Sequence, residues 1–421
     1  MSVLSHHYLP RVVDTELDER LARIGAVLIE GAKGCGKTET GSQHCASVVR
    51  LDVDEAARTT AQIAPANVLD GAVPRLLDEW QLVPNLWNEV RRAVDARHAP
   101  GQFILAGSAT PQDDTTRHTG AGRISRLRMR TLSLWESGLS TGQVALTDLM
   151  AGGAAVAGAS AMSLDDVIEE TCHGGWPADR DKPWKAAQAN VGDYCAEIAN
   201  ADIRTMDGVR RDPSRVRLLM QALARHTATQ ARQTTLAADA ADPALGEDTV
   251  SSYVRALERL MVVEPLASWG PVLRSRARIR VAAKHHFVDP AMSASLLNAG
   301  PDELRRDLKT FGFLFESLVL RDLRVYAQVL GATVHHFLDS TGRQVDAVID
   351  GGYDRWGAVE VKLGGTREVL DQAAANLQAF AAKVDTQSTG GPRFLAIVTA
   401  TGYAYARPDG VLVVPLGILR P

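Results

Sequence analysis

A chain of 421 residues, 45% hydrophobic and 23% charged, has the balance of a globular protein and the length of about three domains of ~150 residues. Its formal net charge of −4 excludes a molecule that is basic throughout, so any nucleic-acid surface must be a local patch. Cys35, Cys45, Cys172 and Cys195 form no C-x-x-C pair and no zinc spacing, "MSVLSHHYLPRVVD" lacks the apolar core of a signal peptide, and no apolar run reaches ~18 residues; these point to a reducing, cytoplasmic compartment and no membrane span.

In chain order, "GAVLIEGAKGCGKTET" (25–40) reads as an apolar strand, a glycine-rich turn and the start of a helix. Gly31, Gly36, Lys37 and Thr38 satisfy G-x-x-x-x-G-K-[ST]. Each residue type answers a chemical need. Gly31, Gly34 and Gly36 let backbone N–H groups curl round phosphates. Lys37 neutralises the β- and γ-phosphates, the Thr38 hydroxyl coordinates Mg²⁺, and Glu39 continues the helix start that points its positive end at the anion. ATP and Mg²⁺ are therefore the expected cofactors.

Such a loop requires an acid-bearing strand downstream. "VVRLDVD" (48–54) reads as one neighbouring strand, and "VPRLLDEWQLVP" supplies the acids. Asp78 would hold Mg²⁺ through water, and Glu79 would polarise the attacking water. A third strand, Phe103 to Ala106, leads to Ser108, either a contact to the γ-phosphate or its water, or a turn serine. Strands alternating with helical stretches predict an α/β fold with a parallel sheet and helices on both faces, assigned to residues 1–145. Arg117, Arg123, Arg126, Arg128 and Arg130 then follow without an intervening acid. They form either a solvated basic face or, at Arg123, a finger to a neighbouring subunit's nucleotide.

The order "YLPR", phosphate loop, "LLDEWQLVP", "FILAGSAT", "GAGRISRLRMRTLSLWESG" and "GGWP" (174–177) resembles a bacterial and archaeal family of AAA-type P-loop ATPases. Its members carry a C-terminal domain of unknown function related to PD-(D/E)xK nucleases. The resemblance spans nearly the whole chain and implies ATP hydrolysis and assembly as a homo-oligomer. For "GGWP" it implies no mechanism; a turn is expected there.

Residues 146–200 are expected to be a helical connector, with "MAGGAAVAGASAM" (150–162) a flexible joint or a small-residue packing segment. Over 201–290 the pattern changes. "DPSRVRLLMQALARHTA", capped by Asp212 or Ser214, then "QTTLAADA" and "GEDTVSSYVRALERLMVVEPL" predict three helices, followed by two strands. This is a winged-helix pattern, and the resemblance supports it. Thr249, Ser251, Ser252 and Arg255 would lie on a recognition helix; Arg274, Arg276, Arg278, Arg280 and Lys284 would line a wing that meets DNA phosphates. The alternative is a lid or a protein-contact module.

The last part, 291–421, is read from "GRQVDAVIDGGYDRWGAVEVKLGG". Strand alternation puts Glu360 and Lys362 on one face, and a hairpin brings Asp346 alongside. Glu316, on the helix "FGFLFESLVLRDL", would complete a site for Mg²⁺ or Mn²⁺, with Lys362 activating the water. The order helix, strand, hairpin, strand, helix resembles the PD-(D/E)xK core. Two functions stay open: an ATP-driven enzyme that processes double-stranded DNA, and a nucleotide switch without nuclease activity that acts on DNA or a protein partner.

Overall fold

The structure, a computed structural model, describes residues 8–107, 119–153, 155–203, 209, 211–242, 245–270 and 281–421. Ser108, Arg117, Arg274, Arg276, Arg278 and Arg280, singled out above, lie outside the described residues.

The N-terminal part begins with helix α1 (Val13–Arg23), strand β1 (Ala26–Glu30) and helix α2 (Lys37–Gln43). Strand β2 (Ser47–Arg50), helix α3 (Glu55–Ile63), strand β3 (Arg75–Asp78), helix α4 (Leu86–Arg97), strand β4 (Phe103–Gly107) and strand β5 (Ile124–Arg128) follow. The strands form a parallel sheet in the order β2-β3-β4-β1-β5. Strands covered on both faces read as unbroken apolar runs, as β1 and β4 do. Leu28, Leu77 and Leu105 pack with Leu86, Trp87 and Val90 of α4 on one face. Val27, Ile29, Leu76 and Ile104 pack with Val13, Leu17 and Leu21 of α1 on the other. The predicted two-faced sheet is thus observed, with β4 inserted between the loop-bearing β1 and the acid-bearing β3.

Beyond it lie strand β6 (Val144–Ala145), strand β7 (Gly158–Ala159), helix α5 (Leu164–His173) and helix α6 (Trp184–Glu197). The segment expected as a helical connector is therefore only partly helical: β7 pairs with a strand of the C-terminal sheet, and Leu146, Leu149 and Met150 join its core. Helices α7 (Pro213–Arg225), α8 (Gln233–Ala240) and α9 (Glu247–Arg259) form the expected trio, and Asp212 caps the first by accepting from Ser214 N at 2.8 Å. Two antiparallel bridges follow, Val263 with Phe287 and Leu266 with Lys284.

Helix α10 (Pro290–Leu296) leads to α11 (Leu308–Val329), buried almost all round from Leu314 to Ala327. Strands β8 (Thr333–Leu338), β9 (Gln344–Asp350) and β10 (Trp356–Lys362), helix α12 (Arg367–Ala381), and strands β11 (Phe394–Thr399), β12 (Tyr403–Ala406), β13 (Leu412–Pro415) and β14 (Leu419–Arg420) complete the chain. The large sheet runs β7-β12-β13-β11-β10-β9-β8, with α11 packed on one face and α12 on the other. Strand β14 leaves this sheet and pairs in parallel with β6. Among the described residues no helix is long and apolar enough to cross a membrane, and all four cysteines are free.

Candidate functional site

The phosphate loop spans the turn between β1 and α2. Gly34 (φ 76°) and Gly36 (φ 103°) adopt left-handed backbone that a side chain would strain. Gly31 is required for another reason: a Cβ there would stand 2.1 Å from the Met129 carbonyl oxygen. Lys37 is buried, and its ammonium donates to the Gly31 and Ala32 carbonyls at 2.9 and 2.8 Å, inside the curl of the loop. Thr38 Oγ1 donates to Asp78 Oδ1 at 2.9 Å, so the loop and the end of β3 meet although β4 separates their strands. Burial, reinforced by Glu79 and Asp52, holds the Asp78 carboxyl above its ordinary range. Glu79 follows in left-handed backbone (φ 51°), and its carboxylate accepts from the Gln81 amide. Glu39 is exposed in the first turn of α2.

A hydroxyl and a buried carboxylate already in contact are the oxygen donors a Mg²⁺ ion takes, directly and through water. The residues present fit that ion.

Two groups that the sequence reading did not assign hold the loop from outside. Arg11, from "YLPR", donates to the Cys35 carbonyl at 2.7 Å, to the Arg130 carbonyl at 2.8 Å and to Glu136 Oε1 at 3.0 Å. Trp176, from "GGWP", donates to the Lys33 carbonyl at 3.2 Å and lies edge-on to Tyr194. A cleft of about 210 Å³, lined by Lys33, Gly34, Trp176, Asp179, Asn190 and Tyr194, opens beside the loop tip.

Arg123 is not brought to this chain's loop. It precedes β5 at the end of the sheet opposite the loop, where it is exposed and pairs with Asp95 at 2.8 Å. Arg130 turns instead to Glu264 at 2.5 Å, a carboxylate that also faces Arg324 at 3.5 Å.

The C-terminal residues do converge. Asp346 Oδ2 accepts from Val361 N at 2.8 Å, and Lys362 Nζ stands 2.6 Å from Glu360 and 3.6 Å from Asp346. Asn376 donates to Glu360 Oε1 at 2.7 Å. Glu316 faces the same place, but its partner is Lys284, 2.7 Å away. One expectation changes here: Lys284, expected to line a wing that meets DNA phosphates, is buried. Glu316, Asp346 and Glu360, expected to hold Mg²⁺ or Mn²⁺, have lysine, amide and backbone donors on their oxygens. Among the described residues no group of three or more His, Cys, Asp or Glu stands at metal-holding spacing. Burial, with Asp346 nearby, pushes the Glu316 carboxyl up to about 7, while Glu316 and Asp346 outweigh burial and hold the Lys284 ammonium above its ordinary range.

Comparison with known proteins bears on the N-terminal domain. Residues 24–137 match an AAA domain. The N-terminal third is an AAA-type P-loop ATPase domain. Residues 164–303 and 311–419 match two domains of unknown function, DUF8612 and DUF4143. No curated protein matches the chain. Among solved structures the chain is similar to a Walker-type ATPase of Pyrococcus abyssi, at 12% identity and a TM-score of 0.41, covering 67% of this chain and 94% of that one. It is also similar to AMPPCP-bound DnaA from Aquifex aeolicus, at 15% identity and a TM-score of 0.28, covering 59% and 86%.

Proposed function

We propose that this chain binds ATP with Mg²⁺, hydrolyses it, and uses the nucleotide to switch the packing of its other domains. The observation that carries the reading is the Thr38–Asp78 hydrogen bond, with Lys37 enclosed by the loop beside it. The loop N–H groups and Lys37 bind and orient the phosphates. Thr38 and, through water, Asp78 would hold Mg²⁺, which would supply positive charge to offset that of the phosphoryl oxygens. Glu79 orients the attacking water and accepts its proton as the new O–P bond forms and the bond to the β-phosphate oxygen breaks. Ser108 is assigned to the γ-phosphate side of the site, and Arg123 to a neighbouring subunit's nucleotide in a homo-oligomer.

The switch follows from what touches the loop. Trp176 ties the Lys33 carbonyl to the helical part, so a change of loop conformation on nucleotide binding reaches "GGWP" directly. Double-stranded DNA remains the proposed ligand of the three-helix unit, as a winged helix on whose third helix Arg255 is exposed. The test is phosphate release and nucleotide binding by the wild type, Lys37→Ala and Glu79→Gln. Loss of binding in the first variant and of turnover alone in the second supports the reading. Wild-type turnover in either overturns the role given to that residue.

A further inference from the structure

The acidic cluster of the C-terminal sheet already contains a cation, supplied by the chain. Lys284 Nζ lies 2.7 Å from Glu316 Oε1 and 4.0 Å from Asp346 Oδ1, and the lysine side chain is only 5% exposed. A buried ammonium needs such partners, because water does not reach it. Its delivery is rigid. Lys284 N donates to the Leu266 carbonyl at 3.0 Å, and Leu266 N donates to the Lys284 carbonyl at 2.8 Å. That ribbon is seated on β8: Trp269 N donates to the His336 carbonyl at 2.6 Å, and His336 N to the Ala267 carbonyl at 3.0 Å. One residue pair along, the His286 imidazole meets the Ser317 hydroxyl on α11 at 2.8 Å.

A divalent ion shared by Glu316, Asp346 and Glu360 would need the oxygens these donors hold, and would be repelled by an ammonium at that distance. We propose that Lys284 is a built-in cation standing where a divalent metal would stand, so that this cluster clamps the bridge ribbon to α11 and the C-terminal sheet and is not a phosphodiester-cleaving centre. The inference does not depend on the ATPase reading; no nucleotide enters it.

The test is Mn²⁺ titration of the full chain, without nucleotide, followed by the electron paramagnetic resonance signal of free Mn²⁺. Wild type, Asp346→Asn, Lys284→Met and Lys284→Met/Asp346→Asn are compared. The expected result is no difference between wild type and Asp346→Asn. Removal of the ammonium in Lys284→Met should tighten Mn²⁺ binding by at least ~10-fold, since one like charge has gone. The double variant should lose that gain. A wild-type Mn²⁺ site that Asp346→Asn abolishes would overturn the proposal. So would Mn²⁺-dependent nicking of supercoiled plasmid that the same variant abolishes. Both outcomes stay readable if Lys284→Met fails to fold. A folded Lys284→Met that gains no Mn²⁺ binding also overturns it, because the lysine would then not be what fills the place.

Discussion

At the level of single residues, the phosphate loop separates binding from chemistry. Lys37→Ala removes the one ammonium the loop encloses, and nucleotide affinity should collapse in a fluorescent-nucleotide titration. Glu79→Gln keeps size and polarity but not basicity. It should bind ATP as the wild type does while kcat for phosphate release falls ~10²–10⁴-fold, the range of a lost general base. Arg11→Ala tests the outer clamp. Its guanidinium and Glu136 are 3% and 2% exposed, and breaking a buried pair costs about 3–5 kcal/mol. Urea unfolding should show a deficit of that order. The loop residues and the Asp78–Glu79 pair were legible in sequence because strand, turn and acid obey fixed local spacing. Arg11 was not, since nothing near "YLPR" announces a carbonyl 24 residues on.

Between elements, charge placement decides more than helix or strand propensity. Glu264, between the bridge positions Val263 and Leu266, lies among Arg130 and Arg128 around the end of β5 and Arg324 on α11. Burial alone would raise its carboxyl, but the three guanidiniums outweigh it and hold the pKa well below the ordinary range. Arg324 bears the other side of this crowding: burial first, then Arg130 and Arg128, push its guanidinium down to about 10. For a carboxylate with a depressed folded-state value, the stabilisation is complete above the unfolded value of about 4.3 and fades as pH falls towards the folded one. Glu264→Gln should therefore be clearly less stable than the wild type at pH 7, with the gap closing below about pH 4 in chemical denaturation. The elements themselves were largely predictable from periodicity: the parallel sheet, the helix trio and the helix–hairpin–helix order around Asp346 all appear. The orientation of Lys284 was not. Alternation along a strand says which residues share a face, and leaves open which face meets a partner 32 residues away.

Across the molecule, Asp289 is the junction. Fully buried at the start of α10, it accepts from Thr131 Oγ1 at 2.8 Å, Gly175 N at 3.0 Å and Arg321 at 3.1 Å. Next to Arg321, Asp322 accepts from Leu134 N at 3.1 Å. The ATPase domain, "GGWP" and α11 thus meet in one buried network. If nucleotide acts through it, ATP should slow amide hydrogen exchange along α11 in the wild type and leave Lys37→Ala unchanged. A protein whose α11 exchange ignores ATP would disconnect the two ends. The pairing of β14 with β6 has a practical consequence for anyone cutting this protein into pieces. Leu419 sits beside Val144, so the end of the ATPase segment is completed by residues 275 positions later in sequence (419 minus 144). A fragment stopping near residue 145 would lack the strand against which Val144 and Ala145 lie, and would bare Leu134, which packs in the core shared with the C-terminal sheet, to solvent. Sequence-similarity limits are therefore poor truncation points here. A backbone nick between the modules should leave two fragments that co-elute as one particle, whereas the excised N-terminal fragment alone should aggregate.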